Sequence, residues 1–256
     1  MNVFAQIGRA TLGILRETGR LSTFAGHAVL ACVQPPWFVS QIASQLMRIG
    51  YYSLPVIGLT AVFIGAALAL NIYTGGARFN AEQFVPNIVV LGITRELGPV
   101  LAGLMLSGRV SAGIAAEIGT MRVTEQIDAM STLSTDPFRF LVAPRVLAAT
   151  LTLPVLVLVA DIIGVMGGWL VSTGSLGFNG VIYLRNTLEF LEAADVTLGL
   201  IKAAAFGFII AVMGAYQGYR SSGGALGVGR AATNAVVGST VLILAANYVI
   251  TALFVA

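Results

Sequence analysis

Five apolar stretches dominate this sequence, at residues 53–73, 84–108, 140–172, 196–216 and 232–254. Each is about as long as a bilayer crossing, which takes roughly 20 residues of helix. Lipid offers no water to the backbone, so every N–H and C=O inside it must find a partner within the protein. Only helices and closed barrels meet that condition. The alternating ten-residue strands of a barrel are absent. The chain is therefore expected to be an all-α polytopic membrane protein. Its low charged content, 10%, against about 25% in soluble domains, agrees. The 30 glycines suit helices that pack closely without a hydrophobic drive between them.

The first 50 residues differ from the rest. Phe4, Ile7, Leu12, Leu15 and Leu21 recur near helical spacing among Arg9, Arg16, Glu17 and Arg20. This predicts a basic amphipathic helix lying on the membrane surface, with a plain solvated helix as the alternative. Residues 22–33 are apolar but too short to cross, and Pro35 and Pro36 break a helix there. A short re-entrant hairpin is expected, then a second surface helix at 38–50. His27, the single histidine, has no second metal ligand near it in sequence and reads as packed or interfacial. Residues 1–50 thus form an interfacial and re-entrant region ahead of a transmembrane core at 51–256, all within one membrane domain, 1–256. The long third span has room for an extension or a break at Pro144 or Pro154. No internal repeat is visible.

Orientation follows from the arginines. With the N-terminus inside, the cytoplasmic side receives Arg9, Arg16, Arg20, Arg48, Arg109, Arg122, Arg139, Arg145, Arg220 and Arg230, and the outer side only Arg78 and Arg185. That bias places the C-terminus outside. The dispersed arginines read as a topology signal, not a nucleic-acid surface.

Two charges stand where they are expensive. Arg95 and Glu96 are adjacent inside the 84–108 span, twelve residues from either end in the case of Glu96. Each costs about 2.5–3.5 kcal/mol at a membrane centre by insertion scales. Neighbouring residues on a helix do not face each other, so the two need separate partners. Pro99 follows and is expected to free a carbonyl. A polar lining of a central cavity and a buried ion pair with another helix are both open. Lys202 lies about 9 Å into its span by helical rise. It is expected to snorkel outward, towards a lipid phosphate, a partner or plain interfacial anchorage. Asp195, seven positions earlier, shares its helix face. Asp161 is an isolated carboxylate in the third span, beside Gly164 and Gly168, whose GxxxG spacing reads as helix packing. Gly214 and Gly218 repeat it.

Behind the second span, Ile118, Met121, Ile127 and Met130 form an apolar set with Glu117, Arg122, Glu125 and Asp128 on the polar side. A short cytoplasmic helix is expected, touched by a partner; its acids disfavour rest on anionic lipid. Asp136-Pro137 then reads as an N-cap and first helical residue.

Several chemistries are excluded. Of 14 basic residues, Lys202 is the one lysine, and its neighbours do not form the G-x-x-x-x-G-K-[ST] loop that cradles phosphates. Any ATP-driven work needs a partner to hydrolyse it. Cys32 stands alone, so no intrachain disulfide forms. No nucleophile elbow, metal-ligand spacing or signal peptide is visible, and no catalytic residue is assigned.

The segments RELGPVLAGLMLSGRV (Arg95–Val110), AAEIGTMRVTEQIDAM (Ala115–Met130), DPFRFLVAPRVLA (Asp136–Ala148) and GRAATNAVVGS (Gly229–Ser239), with VFIGAALAL (Val62–Leu70), resemble the MlaE (YrbE) family of ABC-transporter permeases. The resemblance implies a homodimeric inner-membrane permease that moves phospholipids or related lipids between the inner membrane and the outer membrane. It implies two ATPase subunits on the cytoplasmic face, a hexameric MCE-domain protein on the periplasmic face and, in some complexes, a STAS-domain subunit. No cofactor would bind this chain; ATP and Mg would sit on the ATPase. The resemblance would put mid-membrane charges at Arg95 and Glu96, lipid-facing wall at Leu68 and Tyr73, and outer-mouth charges at Asp195 and Lys202. The ATPase coupling helix would carry Glu117, Met121, Arg122, Glu125, Gln126 and Asp128. Two other readings remain: a proton-coupled secondary transporter resting on Glu96, Asp161 and Asp195, and a membrane anchor for a periplasmic lipid-binding protein.

Overall fold

The computed structural model describes residues 3–79 and 82–255 and holds no strand among them. Its elements are α1 (Val3–Val33), α2 (Val39–Ile49), α3 (Leu54–Gly76), α4 (Val85–Leu91), α5 (Gly98–Leu106), α6 (Ala112–Val123), α7 (Gln126–Thr132), α8 (Ala143–Gly174), α9 (Gly180–Phe190), α10 (Ala193–Tyr219) and α11 (Gly224–Val255). Five helical segments are long and apolar enough to cross a membrane: Val39–Gly76, Val85–Val123, Phe138–Gly174, Ala193–Tyr219 and Gly224–Phe254. The protein is a polytopic all-α membrane protein, as its apolar runs require.

The second crossing is the unusual one. It runs 39 residues, about 58 Å at helical rise, and overshoots the hydrocarbon. Two wide π-type turns interrupt it, at Gly92–Leu97 and Ser107–Ser111. Such insertions are frequent at functional sites.

α8 is the hub, flanked by α3, α10 and α2. Glycine sets these distances. A Cβ on Gly167 would press on the backbone of Val62, and one on Gly65 on the carbonyl of Gly164. The GxxxG pair of α8 therefore serves packing, and so does that of α10: a Cβ at Gly214 would stand 2.8 Å from the Ser111 carbonyl oxygen, and one at Gly218 as close to that of Ala115. In lipid such contact is the main source of helix association. The core between these helices is built from Leu153, Leu156, Phe206, Ile210 and Ile243, all buried.

Two boundaries differ from the sequence reading. Residues 22–33 continue α1 without interruption, and the reversal comes at 34–38. No helix-breaking residue stands before Pro35. Phe24, Ala28 and Ala31 keep the buried stripe in register, so the expected re-entrant hairpin is the second half of a 31-residue amphipathic helix. The side chains of Phe4 and Ile7 lie outside the described residues. The coupling helix expected over 115–130 is also split. α6 carries the transmembrane helix on to Val123, Glu125 takes a left-handed conformation (φ 61°), and α7 sets off in a new direction.

Candidate functional site: a paired charge cluster in the second crossing

Pro99 has no N–H, so the carbonyl of Arg95 four residues before it loses its helical donor. The π turn at 92–97 opens the helix at the same place. Lys202 of α10 occupies the gap. Its Nζ donates to Arg95 O at 2.7 Å and to Glu96 Oε1 at 2.8 Å, and the residue is wholly buried. A buried ammonium needs such partners. The carbonyl of Thr94 faces α10 one turn earlier, at Gly199, where a Cβ would collide with it.

The remaining members follow from α10 and α11. Arg95 Nε lies 3.4 Å from Asp195 Oδ1. Asp195 also accepts from Glu192 N at 3.2 Å, which fixes it in the first turn of α10. Glu96 accepts from Asn247 Nδ2 at 2.9 Å and from Thr251 Oγ1 at 3.1 Å. Arg95 and Glu96 thus take separate partners, Asp195 of α10 for the one and Lys202 of α10 with two residues of α11 for the other, and both stay partly open, with 37% and 41% of their side chains exposed. Lys202 does not snorkel to an outer surface. It faces Glu96, and Asp195 faces Arg95, because the two residues of α10 are two turns apart on one face. Asn247 and Thr251 complete the cluster from α11, and their signal in the sequence is an amide and a hydroxyl four residues apart in an apolar helix.

Leu68 and Tyr73, the residues expected to form a lipid-facing wall, lie elsewhere on the same helix bundle. A Cβ on Gly92, four residues before Glu96, would meet Leu68 at 3.3 Å. Tyr73 stacks edge-on against Phe178 at 6.0 Å. Asp161 is buried in α8 with Oδ1 unpaired, lying over Gly98, where a Cβ would strike it. It also borders an apolar cavity of about 290 Å³ between α4, α8 and α9.

At the other end of the second crossing, the expected coupling residues divide. Glu125, Gln126 and Asp128 are exposed around the α6–α7 break. Arg122 pairs with Asp128 at 2.6 Å and lies over the Tyr219 ring at 5.8 Å. Met121 packs into the core. Glu117 is not on this surface: Arg145 and Arg48 hold it at 3.0 and 3.2 Å. Phe24, Phe138, Tyr216 and Tyr219 form one aromatic cluster joining α1, the turn that leads into α8, and α10. Glu17 of α1 accepts from Arg220 and Tyr216, and these hydrogen bonds hold its carboxyl down to about 2. Asp136 caps the next helix through Phe138 N at 2.9 Å, as its sequence predicts.

The sequence has relatives. The family described as Permease MlaE matches residues 42–253. This chain belongs to the MlaE permease family. It is 54% identical over 254 residues to a probable ABC transporter permease protein of Rickettsia bellii, covering 99% of this chain and 98% of the relative. It is 29% identical over 256 residues to the intermembrane phospholipid transport system permease protein MlaE of Haemophilus influenzae, covering 99% and 97%. It is 34% identical over 230 residues to the chloroplastic protein TRIGALACTOSYLDIACYLGLYCEROL 1 of Arabidopsis thaliana, covering 90% and 66%. As an MlaE-family permease the chain is a multi-pass transport protein. The motif around Arg95 and the helix that carries it fall inside the matched region.

Proposed function

We propose that this chain is the permease subunit of an ABC lipid transporter that moves phospholipids or related lipids between the inner and outer membranes. The observation that carries the reading is the state of Arg95 and Glu96. Both are held by α10 and α11, yet more than a third of each side chain stays open within an apolar crossing. A phospholipid pairs a charged headgroup with acyl chains, and such a site offers both kinds of contact. The phospholipid-transport name of the Haemophilus relative supports the substrate class, and the Rickettsia name supports the transporter class.

In this reading two ATPase subunits hold ATP and Mg and press on Glu125, Gln126 and Asp128. The N-terminus is cytoplasmic and the C-terminus periplasmic, where a hexameric MCE-domain protein takes or delivers lipid; a STAS-domain subunit can join the ATPase. Two copies of the permease pair. The exposed apolar residues Val237, Val241, Leu244 and Tyr248 of α11 give a second copy a surface to cover. The proton-coupled alternative is weakened because Glu96 and Asp195, two of its three carboxylates, are engaged in ion pairs. The test is purification of the tagged chain from its own membranes, followed by lipid transfer in proteoliposomes. The reading expects an ATPase to co-purify and transfer to need ATP but not a proton gradient. Absence of an ATPase, or loss of transfer when the gradient alone is collapsed, contradicts it.

A further inference from the structure

A second charged cavity lies far from the mid-span cluster. It has a volume of about 150 Å³ and opens between α2 and the α5–α6 stretch, lined by Gln45, Arg48, Arg109 and Glu117 among others. Its charges do not balance. Arg48 and Arg145 both reach Glu117, at 3.2 and 3.0 Å, and Arg109 donates to the Ser53 hydroxyl at 2.6 Å. Two guanidiniums therefore hold one carboxylate, Arg109 adds a third positive charge at the cavity wall, and Glu117 is the only acid among the lining residues. Arg145 is buried and its Nε has no partner. Gln45 is 94% buried by its 6% exposure, borders the cavity and makes no hydrogen bond within the described protein. An excess of one positive charge among the lining residues, with the buried Arg145 guanidinium behind Glu117 and an unused amide, calls for an anion with several acceptor oxygens. Guanidinium forks match phosphate in that way.

The position says which phosphate. Arg109 lies thirteen residues beyond Glu96, about 20 Å along the helix. Glu96 pairs with Lys202, nine residues or about 13 Å into α10, so Arg109 lies about 33 Å from that end of α10, past the roughly 30 Å of hydrocarbon and within the opposite headgroup layer. Trp37, Tyr51 and Tyr52 flank α2 at its two ends and are all exposed. Aromatic rings of this kind collect at membrane–water interfaces.

We propose that this cavity binds the phosphate of a membrane glycerophospholipid, as a site separate from Arg95 and Glu96. Gln45, Arg48 and Arg109 contact the phosphate, while Glu117 and Arg145 hold Arg48 in place. The inference does not depend on transport, because it concerns binding at rest.

The experiment titrates the purified full-length chain in neutral detergent with dioctanoyl phosphatidic acid, dioctanoylglycerol and inorganic phosphate. Phosphatidic acid should bind, dioctanoylglycerol should not, and inorganic phosphate should bind at least about tenfold more weakly than the lipid. Arg48→Ala, at a side chain more than half exposed, and Gln45→Leu should each weaken the lipid by about tenfold, whereas Arg185→Ala, which removes an exposed guanidinium from α9, should leave it unchanged. Phosphate binding as tightly as the lipid would mean a soluble anion site and overturn the lipid assignment. Wild-type affinity in both cavity variants, equal binding of dioctanoylglycerol, or an equal loss of binding in Arg185→Ala would overturn the site itself.

Discussion

Lys202 Nζ donates to the carbonyl oxygen of Arg95 at 2.7 Å, the same oxygen that Pro99 leaves without a helical donor. The lysine repairs a defect in one helix and neutralises Glu96 with the same ammonium group. A fully buried lysine is tolerated there because both acceptors are within reach.

Removing that lysine tests the pairing. Lys202→Met leaves a carbonyl and a carboxylate unpartnered, and the partial exposure of Glu96 softens the loss. A destabilisation of about 1–3 kcal/mol is expected, read as an earlier thermal transition in detergent. The double variant Lys202→Met, Glu96→Gln should recover part of it, since the unpaired charge is gone. A double variant no better than the single would show that the Glu96 contact contributes nothing.

Gly98 offers a packing test. A Cβ there would run into Asp161, so Gly98→Ala should cost about 1–3 kcal/mol through overpacking. Asp161→Ala in the same chain should relieve it. If Gly98→Ala melts like the wild type, the close approach of α5 and α8 is not as described.

The tether between α1 and α10 should respond to acid. Glu17 has a carboxyl held near 2 by Arg220 and Tyr216, below its ordinary value of 4.5. A depressed value means that docking is supported fully above about pH 4.5 and lost as pH falls towards 2. The protection of α1 against hydrogen exchange, corrected for the intrinsic pH dependence of amide exchange, should stay constant from pH 8 to 5. Glu17→Gln should raise exchange at pH 7, and unchanged protection in that variant would remove Glu17 from the tether.

Much of the architecture can be read from the sequence, for a physical reason. Apolar length is a local property, and all five crossings, the Asp136 cap and the freed carbonyl at Arg95 depend on nearby residues. The partners do not. The spacing of Asp195 and Lys202 places both on one face of α10, but nothing local says that this face meets Arg95 and Glu96, more than 100 positions earlier. That is why Lys202 reads as a surface anchor until the helices are packed. The break at Glu125 is equally hidden, since glutamate is not a residue that usually marks a left-handed turn.

The α7 segment gives a local prediction. Arg122→Ala removes the ion pair to Asp128 and the contact with Tyr219. An exposed pair of this kind contributes about 0.2–1 kcal/mol, too little to unfold the chain. Amide exchange should rise over 126–132 and stay unchanged in α10. A rise spread over the whole chain would mean that Arg122 supports the fold at large.

The central claim is that the charges in the second crossing handle lipid and do not merely hold helices together. Glu96→Gln tests it most directly, because the amide keeps the shape of the carboxylate and changes its charge. In proteoliposomes containing the permease with its ATPase, transfer of labelled phospholipid should fall by about tenfold or more, equivalent to roughly 1.4 kcal/mol in the barrier, while the ATPase still binds and the complex stays assembled. Transfer at the wild-type rate in a correctly assembled complex would contradict the account.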